Sequence, residues 1–188
     1  MSRLLIIAEI LAVSIASPVS AADSGFSGGI RLGYSVPWTA KGGNNGGSFS
    51  PTSEIILGQI PLWADAGWLV SPNAYLGAYV QYAPLLLHGS RPPVLNTLLN
   101  ADLRTGIDLI LRFLPGEGAV PWVGVGSGYE WLVVYGVGYL GAWEFLNLQA
   151  GVDFGAGSTF WIGPFASASI AQSSRGWVQF GVKMTFNP

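Results

Sequence analysis

The chain contains no cysteine and only one histidine, His88. Disulfides and thiolate chemistry are therefore excluded, and a metal site would have to rest on carboxylates that lie interleaved with arginines. Charge is also scarce. Only 10 % of the 188 residues are Asp, Glu, Lys or Arg, against about 25 % in an ordinary soluble domain. The net charge of −2 offers no bulk attraction to nucleic acid, and no basic patch with stacking aromatics is present. Long hydrophobic runs are missing too. The longest, Leu4 to Ala16, has about 13 residues and contains Glu9, short of the roughly 20 that a membrane-crossing helix needs.

Hydrophobicity is nevertheless high, at 50 % of residues with a mean hydropathy of +0.45. The Leu4–Ala16 run reads as the core of a secretory signal. Arg3 precedes it, and the small-residue stretch "SPVSAA" follows, suited to cleavage after Ala21 or Ala22. The expected organisation is a signal peptide over 1–22 and one β-barrel domain over 23–188.

The rest of the chain alternates with period two. Eight segments of this kind are bounded by turn chemistry: 28–38, 54–70, 74–83, 102–114, 122–131, 144–154, 160–171 and 177–186. In the last, Val178, Phe180, Val182, Met184 and Phe186 oppose Trp177, Gln179, Gly181, Lys183 and Thr185. An apolar chain without apolar helices must satisfy every backbone N–H and C=O by closing a sheet on itself. The predicted fold is thus all-β, an eight-stranded antiparallel up-and-down transmembrane barrel. Its connections alternate: "TAKGGNNGGSFSPTS", 84–101 and "LVVYGVGYLGAW" are long, whereas "SPN" and "GAGST" are tight. Pro61 and Pro164 fall inside strands, and a bulge or kink is expected at Pro61. The fourth segment also has helical spacing through Leu99, Leu103, Ile107, Ile110 and Leu114. Its charges fall on one parity, which favours a strand.

Charge placement sets the orientation. Arg31, Asp65, Asp102, Arg104, Asp108, Arg112, Glu130, Asp153 and Lys183 all lie on the polar parity of their segments. Nine charges and many glycines cannot clothe the outside of a soluble, lipocalin-like barrel, but they can fill a narrow lumen and pair there. Interior glycines at 124, 126, 128, 151 and 181 would make room for Trp63, Tyr75 and Tyr79. Glu144 and Arg175 read as strand-margin or loop charges. Aromatics at segment ends suggest two interface girdles: Trp68, Phe113, Trp122, Phe154 and Phe186 near the periplasmic rim, and Trp38, Tyr82, Trp131 and Trp177 near the outer one.

Four stretches, "GQIPLWADAGWLVSPNAYLGAYVQYAP", "ADLRTGIDLILRFLP", "PWVGVGSGYEWL" and "WEFLNLQAGVDF", resemble the small eight-stranded outer-membrane β-barrels of Gram-negative bacteria. These are the OmpA-like and porin-like barrels, and the likeness is nearest to uncharacterised myxobacteria-type members. The resemblance implies the bacterial outer membrane, contact with its lipid and lipopolysaccharide, and no cofactor. The final strand is similar to the signal read by the barrel-assembly machinery, although Asn187 and Pro188 follow Phe186 where the family usually ends in Phe.

Three functions are compatible with this sequence. The first is a non-enzymatic barrel with a plugged lumen and a structural or surface-interaction role, its extracellular partner unspecified. The second is a small pore. The third rests on "LLLHGSR", where His88 and Ser90 precede Asp102. That order resembles the His-x-Ser and downstream acid of lipid A deacylases, whose acid is Glu rather than Asp. A base beside a nucleophile, oriented by a carboxylate, is what acyl transfer requires.

Overall fold

The period-two pattern becomes a continuous antiparallel wall. The computed structural model describes residues 25–39, 56–87, 100–113, 118–134, 138–155, 159–172 and 175–187. Every regular element among them is a strand: β1 (Phe26–Thr39), β2 (Ile56–Gln59), β3 (Leu62–Ser71), β4 (Ala74–Leu87), β5 (Ala101–Arg112), β6 (Ala119–Val134), β7 (Gly138–Gly155), β8 (Phe160–Ala171) and β9 (Arg175–Phe186). β1 pairs with both β2 and β3, both of these pair with β4, each later strand pairs with the next in sequence order, and β1 pairs with β9, so the sheet closes. Closure leaves no edge strand, the condition that hydrocarbon imposes on a sheet.

Nine strand segments occupy eight positions in the wall. Both β2 and β3 lie between β1 and β4. They are one strand interrupted at Ile60 and Pro61, where proline has no N–H to give the ladder. The kink expected at Pro61 is therefore a full break. Pro164 differs: it sits within β8 opposite Val182, and pairing with β9 continues on both sides. The fourth segment is a strand, paired along its length with β4 and β6.

The wall is strongly staggered. Paired residues can be followed around it from Phe26 to Trp68, Leu76, Leu109, Val125, Leu148, Ala168 and Val178. The path returns to β1 at Val36, ten residues beyond its start at Phe26. Such a shear tilts the strands against the barrel axis and lets side chains interlock in the interior. The first and last strands begin and end at one rim, with Gly28 opposite Phe186. We call this the termini end and the opposite rim the loop end.

Two expected loops are shorter than the sequence suggests. β4 runs to Leu87, and the "LVVYGVGYLGAW" stretch is largely strand, with β6 reaching Val134 and β7 starting at Gly138.

Candidate functional site: the layered lumen

Burial in this barrel is inverted relative to a soluble protein. Ile107 is 62 % exposed and Phe145 63 %, whereas Arg31 and Asp102 are 0 % exposed. Apolar side chains cover the outer wall and ionised ones are sequestered inside. Isolated exposed hydrophobics are ordinary; a continuous apolar exterior around a charged interior is stable only against lipid.

The inward residues form layers. On β4 they rise from Tyr75 through Tyr79 and Gln81 to Leu85; on β9 they descend from Trp177 through Gln179 to Lys183. The layer nearer the termini centres on Arg31. Its guanidinium meets Asp65 at 3.0 Å and Asp108 at 3.2 Å, and donates to Gln149 Oε1. Tyr75 Oη donates to Asp65. Aromatic rings hold the cations: Arg31 lies 4.4 Å from the centre of Trp63, and Lys183 Nζ 4.3 Å from that of Trp122. Lys183 also pairs with Asp153 at 3.1 Å, and Trp122 Nε1 donates to the same carboxylate.

Above this layer the side chains are neutral. Gln81, Asn147, Ser167 and Gln179 face inward alongside Gly106, Gly126 and Gly128. A Cβ on Gly128 would lie 2.8 Å from Tyr79 Oη, so glycine is required for that ring to cross the lumen. Both amide atoms of Gln81 and Nε2 of Gln179 have no protein partner. Buried amides of this kind are normally satisfied by internal water.

The next layer centres on Arg104, which binds three carboxylates: Asp102 at 2.6 Å, Glu144 at 3.0 Å and Glu130 at 3.5 Å. Gln59 donates to Asp102, Tyr79 to Glu144, and Trp177 Nε1 to Glu130. Arg175, on the rim side, lies 3.6 Å from Glu130. An apolar cap of Ile56, Leu85, Leu132 and Trp177 closes the loop end above these charges.

Most of the charges expected inside are found there. Arg31, Asp65, Asp102, Arg104, Asp108, Glu130, Asp153 and Lys183 are all buried on the inner face. Arg112 is half-buried at the termini end of β5 and makes no ion pair among the described residues. Of the expected girdle, Trp38, Trp68, Phe113, Trp131, Phe154 and Phe186 are exposed on the outside, and Tyr82 is half-buried.

Trp122 and Trp177 require correction. Neither belongs to a girdle; both are buried in the lumen and donate to carboxylates. Their parity already matched inward Gly124 and Gln179. A Cβ on Gly151 would come within 2.6 Å of the Trp122 ring, so this glycine creates the indole's slot. Glu144 is the second correction: it is buried at the heart of the Arg104 layer, not at a margin. Its parity matches outward Leu148, yet pairing with β8 slips between Glu144 and Leu146. That β-bulge inserts one residue and reverses the facing of everything before it. No residue type at 144–146 announces the slip.

His88 and Ser90 lie outside the described residues. Asp102, the acid of that arrangement, is engaged by Arg104 and Gln59. Among the described residues no cluster of His, Asp and Glu could hold a metal ion.

No protein-family model matches the chain, and no curated protein matches it. Solved structures do. Neisserial surface protein A superposes with a TM-score of 0.63 at 9 % identity, covering 88 % of this chain and 99 % of that one. The N-terminal β-barrel domain of Pseudomonas aeruginosa OprF gives 0.55 at 14 % identity, covering 88 % and 99 %. At such identities the likeness is one of fold: this chain has the architecture of the small outer-membrane β-barrels.

Proposed function

We propose that this protein is a non-enzymatic β-barrel of the bacterial outer membrane, of the OmpA-like or porin-like kind and near the myxobacteria-type members its strands resemble. Its lumen is plugged, and its role is structural or one of surface interaction through the loop end. The observation that carries this reading is the paired, charged interior inside an apolar wall. The Arg31 and Arg104 layers reach across the lumen from opposite strands, and the apolar cap closes what lies above them.

Export by the signal peptide over 1–22, contact with lipid and lipopolysaccharide, and recognition of the last strand by the barrel-assembly machinery belong to the same reading. Phe186 is exposed on the outer wall, where such a machinery would meet it. The test is the purified protein in a planar bilayer. A folded barrel migrates differently on SDS gels before and after boiling, and a plugged one passes no stable current. Stable single-channel steps that vanish on Arg104→Leu would replace the plug with the pore reading.

A further inference from the structure

The wall is not equally strong all the way round. Between β1 and β9 twelve successive residues pair, from Gly28 to Thr39. Between β1 and β2 the one register pair among the described residues is Ser35 with Gln59. Two prolines account for this. Gly33 N–H donates to the Pro61 carbonyl, so Pro61 turns its backbone groups towards β1. Being proline, it returns no N–H. On β1, residues 33 and 37 share that facing, so Pro37 also lacks the N–H that would cross to β2. Both missing donors therefore lie on one seam, on either side of the Ser35–Gln59 pair.

Towards the loop end, beyond Ser35 and Gln59, the seam borders apolar residues on both sides. Leu57 and Trp38 are exposed on the outer wall. Inside, Ile56 of β2 and Trp177 of β9, which pairs with Pro37, belong to the cap with Leu85 and Leu132. Beneath the cap lies the Arg104 layer, which no hydrocarbon can enter without stranding charges. One side chain latches the seam: Gln59 Nε2 donates to Ser35 Oγ across it at 3.4 Å and to Asp102 at 3.1 Å. Gly58 lets Tyr34 lie over the gap, since a Cβ there would come within 2.4 Å of Tyr34 Oη.

We infer that the loop-end half of the wall opens sideways along the β1–β2 seam and admits the alkyl chain of a membrane lipid among the cap residues, down to the Arg104 layer. Moving apolar side chains from the cap into contact with acyl chains carries no hydrophobic cost, because lipid tails are as apolar as leucine. Opening breaks the Ser35–Gln59 pair, the side-chain bond from Gln59 to Ser35 and, at the foot of the seam, the bond from Gly33 to Pro61. The inference rests on the membrane-barrel reading above and adds a lateral port to it.

The test is photo-crosslinking of the full barrel in phosphatidylcholine vesicles. The probe is a phosphatidylcholine with a diazirine in its acyl chain, and sites are read by mass spectrometry. A second arm supplies a diazirine-bearing alkane from the aqueous side. The lipid probe is expected to label Leu85 and Leu132 as well as outward Phe180 and Val182. Gln59→Ala should raise labelling of the inner pair about fivefold, the shift expected for one lost hydrogen bond. Pro37→Val with Pro61→Val, which restores both donors, should lower it about tenfold. Unlabelled Leu85 and Leu132 in both wild type and Gln59→Ala, with Phe180 labelled, overturn the port and leave the barrel intact. Labelling of the cap by the alkane alone, unchanged in the proline variant, places entry at the loops and overturns the seam. Absence of label on Phe180 and Val182 overturns the membrane reading itself.

Discussion

The two ionic layers of the lumen solve one problem in different ways. In the layer nearer the termini, two cations, Arg31 and Lys183, are divided among three aspartates and each is pressed against an indole. In the layer nearer the loops a single guanidinium, Arg104, holds Asp102, Glu130 and Glu144, with help only from Arg175 at the rim. The first arrangement is distributed and the second depends on one residue. Removing one partner of a buried ion pair is far more damaging than never having built it, so the layers should respond unequally to equivalent substitutions.

Arg104→Leu is expected to do the most harm. It leaves three buried carboxylates on one depleted site, and should lower unfolding stability in vesicles by the upper end of about 3–5 kcal/mol or more. Arg31→Leu should fall at the lower end of the same range of about 3–5 kcal/mol, because Lys183 remains and Trp63 and Trp122 still fill the space. Urea titrations of both variants, compared at one lipid composition, make the comparison directly. Equal losses would remove the distinction between the layers.

Glu144→Gln should cost less. The Arg104 layer carries three carboxylates against Arg104 and Arg175, so neutralising one relieves repulsion, while the amide oxygen still accepts from Arg104 and the amide NH2 donates to Tyr79 Oη, reversing that one bond. A change within about 1 kcal/mol in the same titration is expected, and a loss as large as that of Arg104→Leu would show that Glu144 is more than one of three equivalent ligands. The smallest effect concerns the tryptophans. Brominated acyl chains should quench Trp68, Trp131 and Trp143, all exposed on the outer wall, and spare Trp122, buried in the layer nearer the termini, read in variants that keep one tryptophan of interest. Strong quenching of Trp122 would return it to the girdle.

These residues also mark how far the sequence could be read. Asp108 and Lys183 were legible as inward because nothing interrupts the alternation of β5 or β9, and each strand carries its apolar residues on one parity. Trp122 and Trp177 were legible on the same rule, but position near a strand end pointed the other way; a girdle depends on depth in the membrane, which sequence spacing locates poorly. Glu144 was not legible. A bulge is a one-residue slip in pairing, and it arises from the fit of β7 to both neighbours rather than from any local residue preference. The break at Pro61 could be foreseen from a missing donor. That Pro37 and Pro61 weaken the same seam could not, because their common facing appears only once β1 and β2 are paired.

Ile107 and Ile110 lie on one strand, three residues apart, and face opposite ways: Ile107 is exposed on the wall and Ile110 is buried in the lumen against Tyr75, Trp122 and Phe165. Nuclear Overhauser effects between acyl-chain protons and isoleucine methyl groups, recorded on the barrel in lipid nanodiscs, test the inside-out arrangement without any substitution. Strong transfer to Ile107 and none to Ile110 is expected. Transfer to Ile110 with none to Ile107 would mean that the charged face meets the lipid, which contradicts the inside-out arrangement.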